Sequence, residues 1–276
     1  MTSPFTFRRL KAFKKGLQDN RSAFQAGLIE GNGWIFSKMK SGTTQLCNVL
    51  AFYRNAQHGD GVFDFSDLAR FGVVRLAEND PSAVGKSIAF ASQTSERVYF
   101  QTHNFHQARP AHLILQSRNV LDYCVSSFFF HYQNRKSTSG TNVDKALKNI
   151  LSQYIACHKG QIRAAQNAGN VHTFYYEDTR EAELQAFEKL IQALDGVIDT
   201  PALKFALDAA SPAKLKAYET RIGHAAVAAK GTFKKPHFVR SGAVGEGQEF
   251  FNEAQREFIF ETCASQQVPT DGRLDL

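Results

Sequence analysis

Several features are absent from this sequence, and each absence narrows the classes of protein. No apolar run approaches the roughly 20 residues that span a bilayer. The basic N-terminus lacks the apolar segment that a signal peptide needs. The four cysteines are widely spaced and form no Cys-x-x-Cys pair, which is typical of buried thiols in a reducing compartment. The histidines are scattered, without metal-ligand spacing. We therefore expect a cytoplasmic protein whose chemistry requires no metal.

The composition favours one folded domain that binds an anion. The chain has 276 residues, 43% of them hydrophobic, which suits a single domain over 1–276. Its net charge of +7 predicts an anionic partner: nucleic acid, a polyphosphorylated cofactor or an acidic glycan. Residues 1–30 form a basic segment with apolar residues near helical spacing. This spacing predicts a helix packed on the domain, and contact with a membrane surface is the alternative.

Strand and helix signals alternate along the chain, which predicts an α/β fold with helices flanking a mainly parallel sheet. The predicted strands are short apolar runs bounded by polar residues: Gly33–Met39, Val98–Thr102, His112–Gln116 and His172–Tyr176. The predicted helices are Thr44–Asn55, Ser82–Ser92, Val120–Asn134, Val143–Asn167, Glu181–Leu194, Pro201–Ala209, Pro212–Glu219 and Asn252–Ser265.

A small, hydroxyl-rich turn, Lys40-Ser41-Gly42-Thr43-Thr44, follows the first predicted strand and precedes a helix. Backbone N–H groups in such a turn and at the helix start point towards a bound phosphate. The glycine allows close approach of the backbone, while the lysine adds charge and the threonines add hydroxyl donors. The turn is not a Walker A loop, because the glycine required five residues before a Gly-Lys pair is missing. A phosphate-bearing donor other than ATP or GTP is therefore favoured.

These residues resemble the 5′-phosphosulfate loop, Pro-Lys-Ser-Gly-Thr-Thr-Trp, of sulfotransferases that use 3′-phosphoadenosine 5′-phosphosulfate (PAPS). This chain has Met39 for the proline and Gln45 for the tryptophan. The resemblance implies a P-loop-like fold of three layers with PAPS as co-substrate and adenosine 3′,5′-bisphosphate as product. It also implies that Lys40 stabilises the negative charge that develops on the oxygen between the sulfuryl group and the 5′-phosphate. The rest of the loop binds the 5′-phosphate.

A second segment supports the same family. Arg118 ends a predicted strand, where open α/β sheets bind ligands, and its planar fork suits a phosphate monoester. The segment resembles the family's motif Arg-Asx-Pro-x-Asp-x-x-x-Ser, with Asn119, Asp122 and Ser126 in place and Val120 for the proline. The resemblance implies that Arg118 and Ser126 hold the 3′-phosphate.

Two further segments complete the resemblance. Arg240, Ser241, Gly242 and Gly245 fit the family's late Arg-x-Gly-x-x-Gly segment, which implies a lid-like loop over 221–247 that covers the 3′-phosphate. Tyr176 matches the family's Tyr-Glu-Asp segment, whose tyrosine lies against the adenine.

The family also supplies a candidate base. His103 ends a strand in Thr-His, like the family's Lys-Thr-His, whose histidine takes the acceptor proton. Gln101 replaces the lysine of that motif. His106 is the alternative candidate for the base. Such a base contributes about 10²–10⁴-fold to in-line sulfuryl transfer. The acceptor stays open: it is a hydroxyl or amine on a phenol, lipid or carbohydrate, and the aromatic run 128–132 either lines its pocket or packs in the core.

Three other hypotheses remain at this point. A P-loop small-molecule kinase would bind ATP with magnesium at residues 40–44. A non-catalytic nucleic-acid-binding or scaffold protein would follow from the net charge and the basic N-terminus alone. A sulfotransferase fold that has lost activity would account for Met39, Gln45 and Gln101.

Overall fold

A parallel sheet organises the computed structural model, which describes residues 33–58, 68, 72–75, 99–103, 110–133, 140–222 and 241–276. Its strands within these ranges are β1 (Gly33–Ser37), β2 (Val73–Arg75), β3 (Tyr99–Thr102), β4 (His112–Ser117) and β5 (Asn170–Tyr175). They pair in the order β2-β3-β1-β4-β5, and every pairing is parallel. The predicted α/β class and parallel sheet are confirmed.

The helices lie between and after the strands. Their bounds are α1 (Thr43–His58), α2 (Val120–Phe128), α3 (Val143–Ala165), α4 (Asp178–Glu181), α5 (Glu183–Asp195), α6 (Thr200–Ala209), α7 (Pro212–Ile222), α8 (Glu246–Phe250) and α9 (Glu253–Ser265). A five-residue π-helix, Phe129–Gln133, continues α2 directly. No described helix is both long enough and apolar enough to cross a membrane.

Most predicted elements are present, and the differences have local causes. The sequence analysis missed β2, because three residues are too few to show alternation. The single helix predicted over Val120–Asn134 changes to π-helix after Phe128. The predicted loop 221–247 is shorter at both described ends, since residues 221–222 finish α7 and α8 begins at Glu246. The segments 1–30 and Ser82–Ser92 lie outside the described residues.

Both faces of the sheet are buried, as the alternation along its central strands requires. On β1, Ile35 packs with α1, α5 and α6 on one face. Trp34 and Phe36 point to the other face, where Leu113 and Leu115 of β4 join them against the end of α3. A further cluster joins α2, α3 and α9. The rigid layers fix where each strand ends, and therefore where the loops begin.

At the carboxyl edge of the sheet, the loops after β1 and β4 lead to opposite faces. After β1 the chain enters α1 on one face, and after β4 it enters α2, which packs with α3 on the other. β1 lies beside β4 in the sheet, so a crevice opens between the two loops. This is the place where open α/β sheets bind ligands. The loop at residues 38–44 and the Arg118 segment form its two sides.

Candidate functional site

The turn between β1 and α1 is held in an unusual backbone conformation. Lys40 has φ of 62° and Gly42 has φ of 86°, so both lie in the left-handed region. A non-glycine residue there costs about 1–3 kcal/mol and is concentrated at functional sites. The Ser41 hydroxyl donates to the Lys38 carbonyl over 2.6 Å, and the Ser41 amide donates to the same oxygen over 3.3 Å. Both Ser41 donors therefore close the turn.

Tyr176 contacts both this turn and the late glycine segment at Gly242. A Cβ built on Gly42 would lie 2.4 Å from Cδ2 of the Tyr176 ring, so only glycine fits there. The Tyr176 hydroxyl donates to the Gly242 carbonyl over 2.7 Å. The side chain is buried, and burial raises its pKa. Tyr176 thus holds the turn and the late glycine segment in one arrangement.

Arg118 lies between these two segments. Its guanidinium is 4.3 Å from the centroid of the Tyr176 ring and donates to the carbonyls of Lys40 (3.3 Å) and Ala243 (2.7 Å). Only 5% of Arg118 is exposed, and its Nε has no hydrogen-bond partner. Glu177 accepts hydrogen bonds from the backbone and side-chain nitrogens of Asn119, over 3.0 and 2.7 Å, and so fixes the turn that follows the arginine. A buried donor without a partner beside a phosphate-type loop fits an anionic ligand.

Asp122 anchors the late glycine segment. Its two carboxylate oxygens accept hydrogen bonds from the amides of Gly245 and Gly247, both over 2.9 Å. Its own amide donates to the Asn119 side chain over 2.9 Å, so Asn119 caps the start of α2. The carboxylate also lies 3.6 Å from Arg118, so one residue links the arginine to residues 245–247. Arg240 lies outside the described residues.

His103 is oriented by the end of β1. Its Nδ1 lies 2.9 Å from the Ser37 carbonyl oxygen and 3.2 Å from the Ser37 hydroxyl. A carbonyl only accepts, so this contact is a hydrogen bond when Nδ1 carries the proton. In the neutral ring Nε2 is then the basic nitrogen. Gln101 reaches the same hydroxyl over 3.4 Å. His106 lies outside the described residues.

A cavity of about 250 Å³ brings most of the predicted residues together. The predicted residues that line it are Lys40, Gly42, Thr43, Thr44, His103, Arg118, Ser126, Tyr176, Ser241 and Gly242. Thr43 Oγ1 is buried and has no partner, so a second donor is available to a ligand. Lys40 Nζ lies 4.5 Å from the centroid of the Phe130 ring on the π-helix, which also lines the cavity. Ser41 is the exception, since its hydroxyl faces the Lys38 carbonyl.

One cavity residue has a role that sequence reasoning missed. Gln45 stands where the resembling family has a stacking tryptophan, and its amide is held at both ends. It donates to Glu183 over 2.5 Å and accepts from Arg180 over 3.0 Å, while Arg180 and Glu183 pair over 3.1 Å. A polar triangle therefore replaces an aromatic ring. A glutamine at this position with Arg-x-x-Glu later in the chain was the only signal in the sequence, and such a pattern is common on solvated helices.

Comparisons with known proteins identify the family and the fold. The family model described as Sulfotransferase domain matches residues 31–269. No curated protein sequence matches the chain at a significant level. A crystal structure of retinol dehydratase with androsterone and inactive cofactor PAP shares the fold, with a TM-score of 0.66 and 15% identity over 99% of this chain and 97% of that one. Mouse sulfotransferase SULT7A1 with PAP has a TM-score of 0.64 and 18% identity over 95% of this chain and 91% of that one. Among the described residues, no group of three or more His, Cys, Asp or Glu side chains could hold a metal ion.

Proposed function

The chain belongs to the sulfotransferase domain family and is a PAPS-dependent enzyme; from that premise we propose which residues bind the nucleotide and move the acceptor proton. One observation carries the proposal. Four segments far apart in sequence, at residues 40–44, 118–126, 176 and 241–242, line one cavity at the carboxyl edge of the sheet. Buried donors without partners, Thr43 Oγ1 and Arg118 Nε, lie among them. This donor set fits a nucleotide with phosphate groups at both ends of its ribose.

The nucleotide would be held by its two anionic ends. Lys40, Thr43 and Thr44, with the backbone amides at the start of α1, would bind the 5′-phosphosulfate. Arg118 and Ser126 would bind the 3′-phosphate, together with Ser241 and Gly242, which line the same cavity. Tyr176 is the remaining candidate for contact with the adenine, together with the Gln45 amide. PAPS supplies the activated sulfuryl group, and the protein supplies orientation and charge.

Lys40 would act as the electrostatic group at the reacting centre. Its backbone strain places the residue at the tip of the turn, and its Nζ lies against the Phe130 ring. An ammonium ion at this position stabilises negative charge that develops on a departing phosphate oxygen. It needs no proton transfer to do so.

His103 would remove the acceptor proton. The hydrogen bond from Nδ1 to the Ser37 carbonyl fixes the ring and leaves Nε2 as the base in the neutral tautomer. As the acceptor oxygen attacks, Nε2 takes its proton, and the positive charge on the ring is stabilised by the same carbonyl.

We further propose that the acceptor is an alcohol or phenol with an apolar body. Met39 and Phe130 line the cavity that also contains His103. Retinol dehydratase, a structural neighbour, was crystallised with androsterone and with retinol, which are both alcohols with apolar bodies.

Calorimetric titration with adenosine 3′,5′-bisphosphate tests the nucleotide site. We expect tight binding of the bisphosphate without metal, and weaker binding of AMP and of ATP with Mg²⁺. Arg118→Ala should lower the affinity for the bisphosphate at least tenfold more than the affinity for AMP, because a charge-assisted contact to the 3′-phosphate is lost. The control is Arg163→Ala at an exposed position of α3, which should change neither affinity. Equal losses for bisphosphate and AMP in Arg118→Ala would refute the 3′-phosphate assignment.

Transfer of labelled sulfate from PAPS to naphthol tests the base. His103→Gln should lower kcat by about 10²–10⁴-fold while the affinity for adenosine 3′,5′-bisphosphate stays within twofold of wild type. Activity within fivefold of wild type would mean that another group takes the proton.

A further inference from the structure

A buried lysine, Lys38, begins the loop that follows β1. Lys38 follows β1, and none of its surface is exposed. Its carbonyl oxygen receives both hydrogen bonds from Ser41 that close the turn. Lys38 therefore belongs to the loop through its backbone, while its side chain enters the protein interior. A lysine next to a polar turn is normally solvated, so this burial could not be predicted from the residue types alone.

The side-chain nitrogen of Lys38 has a complete set of partners. It donates to the Ser117 hydroxyl over 2.5 Å, and that hydroxyl in turn donates to the Gly272 carbonyl over 2.6 Å. It lies 3.2 Å from Nδ1 of His158 and 4.4 Å from the centroid of the Tyr154 ring. These are partners for an ammonium ion, which donates in every direction and accepts in none. Across the described part of the chain, no carboxylate forms an ion pair with Lys38.

The ionisable groups around Lys38 leave it as the one that titrates nearest neutral pH. Burial lowers the pKa of Lys38 to about 8. Burial and the positive charge of Lys38 lower the pKa of His158 to about 4, so its ring is neutral at pH 7. The nearby thiols of Cys157 (α3) and Cys263 (α9) are also neutral, because burial raises the pKa of each to about 11.

Three further groups face Lys38. Tyr154 on α3 stays protonated, because burial raises its pKa well above the usual value. The more distant carboxylates of Glu177, after β5, and Asp271, in the C-terminal segment, favour the charged lysine. These effects do not cancel the cost of burial, so the ammonium is poorly compensated electrostatically.

The position of this charge connects it to both sides of the nucleotide site. Ser117 immediately precedes Arg118, and the Tyr154 hydroxyl donates to the Arg118 carbonyl over 3.0 Å. The Lys38 ammonium therefore contacts the residue that precedes Arg118, which is proposed to bind the 3′-phosphate, while the Lys38 carbonyl closes the loop proposed to bind the 5′-phosphate. A positive charge in a low-dielectric interior acts on a nearby anion more strongly than a solvated one.

We propose that Lys38 is a buried electrostatic residue for nucleotide binding, whose protonation is coupled to occupancy of the cavity by the doubly phosphorylated nucleotide. This inference rests on the proposed nucleotide site. The coupling is reciprocal: the bound anion favours the charged lysine, and the charged lysine tightens binding of the anion. Lys38 does not touch the reacting atoms and is therefore distinct from Lys40.

The sign of the pH effect follows directly. Well below pH 8, near pH 7, the lysine is almost fully charged in the free protein, so its protonation hardly changes on binding there. Above pH 8 the free protein has lost part of this charge, and binding must restore it. Affinity should therefore fall as pH rises above 8 and should level off once the lysine is neutral in the complex as well.

Calorimetry of adenosine 3′,5′-bisphosphate binding at pH 8.5, in buffers of different ionisation enthalpy, measures this proton uptake without any turnover. A coupling of about tenfold corresponds to a pKa shift of about one unit. It predicts uptake of about half a proton per nucleotide and an affinity that falls about tenfold between pH 7 and pH 10. The lysine should contribute almost no uptake at pH 6.5 to 7, where it is charged in both states.

Two variants isolate the lysine. Lys38→Met should bind about tenfold more weakly at pH 7, and both its proton uptake at pH 8.5 and its loss of affinity at high pH should be small. Lys159→Met, at the neighbouring α3 lysine that donates to Gln266, should behave like wild type. Thermal unfolding of both variants establishes that they are folded.

The possible outcomes separate the role of Lys38 from the proposed nucleotide site. Nucleotide binding at pH 7 without proton uptake by wild type at pH 8.5 overturns the role of Lys38 and leaves the nucleotide site intact, even if Lys38→Met does not fold. Proton uptake that persists in a folded Lys38→Met also overturns it. No binding of the bisphosphate at pH 7 overturns both this inference and the proposed site.

Discussion

Replacing Gly42 by alanine tests the packing of the phosphate loop most directly. Two independent costs arise there. The backbone has φ of 86°, which costs an alanine about 1–2 kcal/mol. The new methyl group would also lie 2.4 and 2.8 Å from Cδ2 and Cε2 of Tyr176. A ring held by Arg118 and by its own hydroxyl cannot move away freely, so overpacking adds about 1–3 kcal/mol.

Urea unfolding should therefore show that Gly42→Ala lowers the free energy of unfolding by about 2–5 kcal/mol. The matched control is Gly196→Ala. Gly196 has φ of 75°, but nothing lies within 4 Å of the Cβ that it would gain, so only the backbone cost of about 1–2 kcal/mol applies. The difference between the two variants measures the steric contact with Tyr176.

A double-mutant cycle separates the two costs at Gly42 itself. In a Tyr176→Ala background the ring is gone and only the contact of 3.3 Å with Gln116 Nε2 remains, so Gly42→Ala should cost nearly as little as Gly196→Ala. If Gly42→Ala costs no more than Gly196→Ala in the wild-type background, Tyr176 does not pack against the loop and the described site is wrong.

Two other predictions concern the supports of the site. Asp122→Ala should lower the free energy of unfolding by about 3–5 kcal/mol and speed hydrogen exchange at the Gly247 amide, because two bonds to a charged acceptor are lost. Asp122→Asn, which keeps one carbonyl oxygen, should show about half the effect, and unchanged exchange in Asp122→Ala would contradict the anchor. His158 has its pKa lowered to about 4, so its ring takes up a proton near pH 6.5 only when unfolded. Wild type should lose about 1–3 kcal/mol of stability from pH 6.5 to pH 4 that His158→Gln does not lose, as urea unfolding at both pH values can measure; equal losses would refute the buried neutral ring.

The sheet and its carboxyl edge were predictable because their signals are local. The strands of Ile35 and Ile114 are short apolar runs, and each is followed at once by polar residues that reach the cavity. The turn at Gly42 could be located from residue types alone, since a strand followed by a hydroxyl-rich turn and a helix has few other uses. The family resemblance supplied expected functions for segments, such as the late glycine segment, whose residue types alone do not indicate a function.

The features that escaped prediction depend on partners far away in the sequence. Lys38 is buried because helix α3 presents Tyr154 and His158 to it and because the Gly272 carbonyl orients its serine partner. Gln45 is held by a helix 138 residues later. The change to π-helix after Phe128 likewise has no residue signature of its own. Periodicity cannot show such contacts, because they are set by tertiary packing.

The contact between Ser117 and Gly272 also has a consequence for the order in which the protein matures on the ribosome. These residues are separated by 155 positions, and the Val120 amide reaches the Thr270 carbonyl in the same region. The strand that carries Arg118 cannot complete its hydrogen bonds until residues about 155 positions later have been synthesised. Such long-range closure slows folding. A nascent chain that lacks these residues should therefore form its sheet before it gains a nucleotide site, and ligand binding should follow the synthesis of residues 270–272.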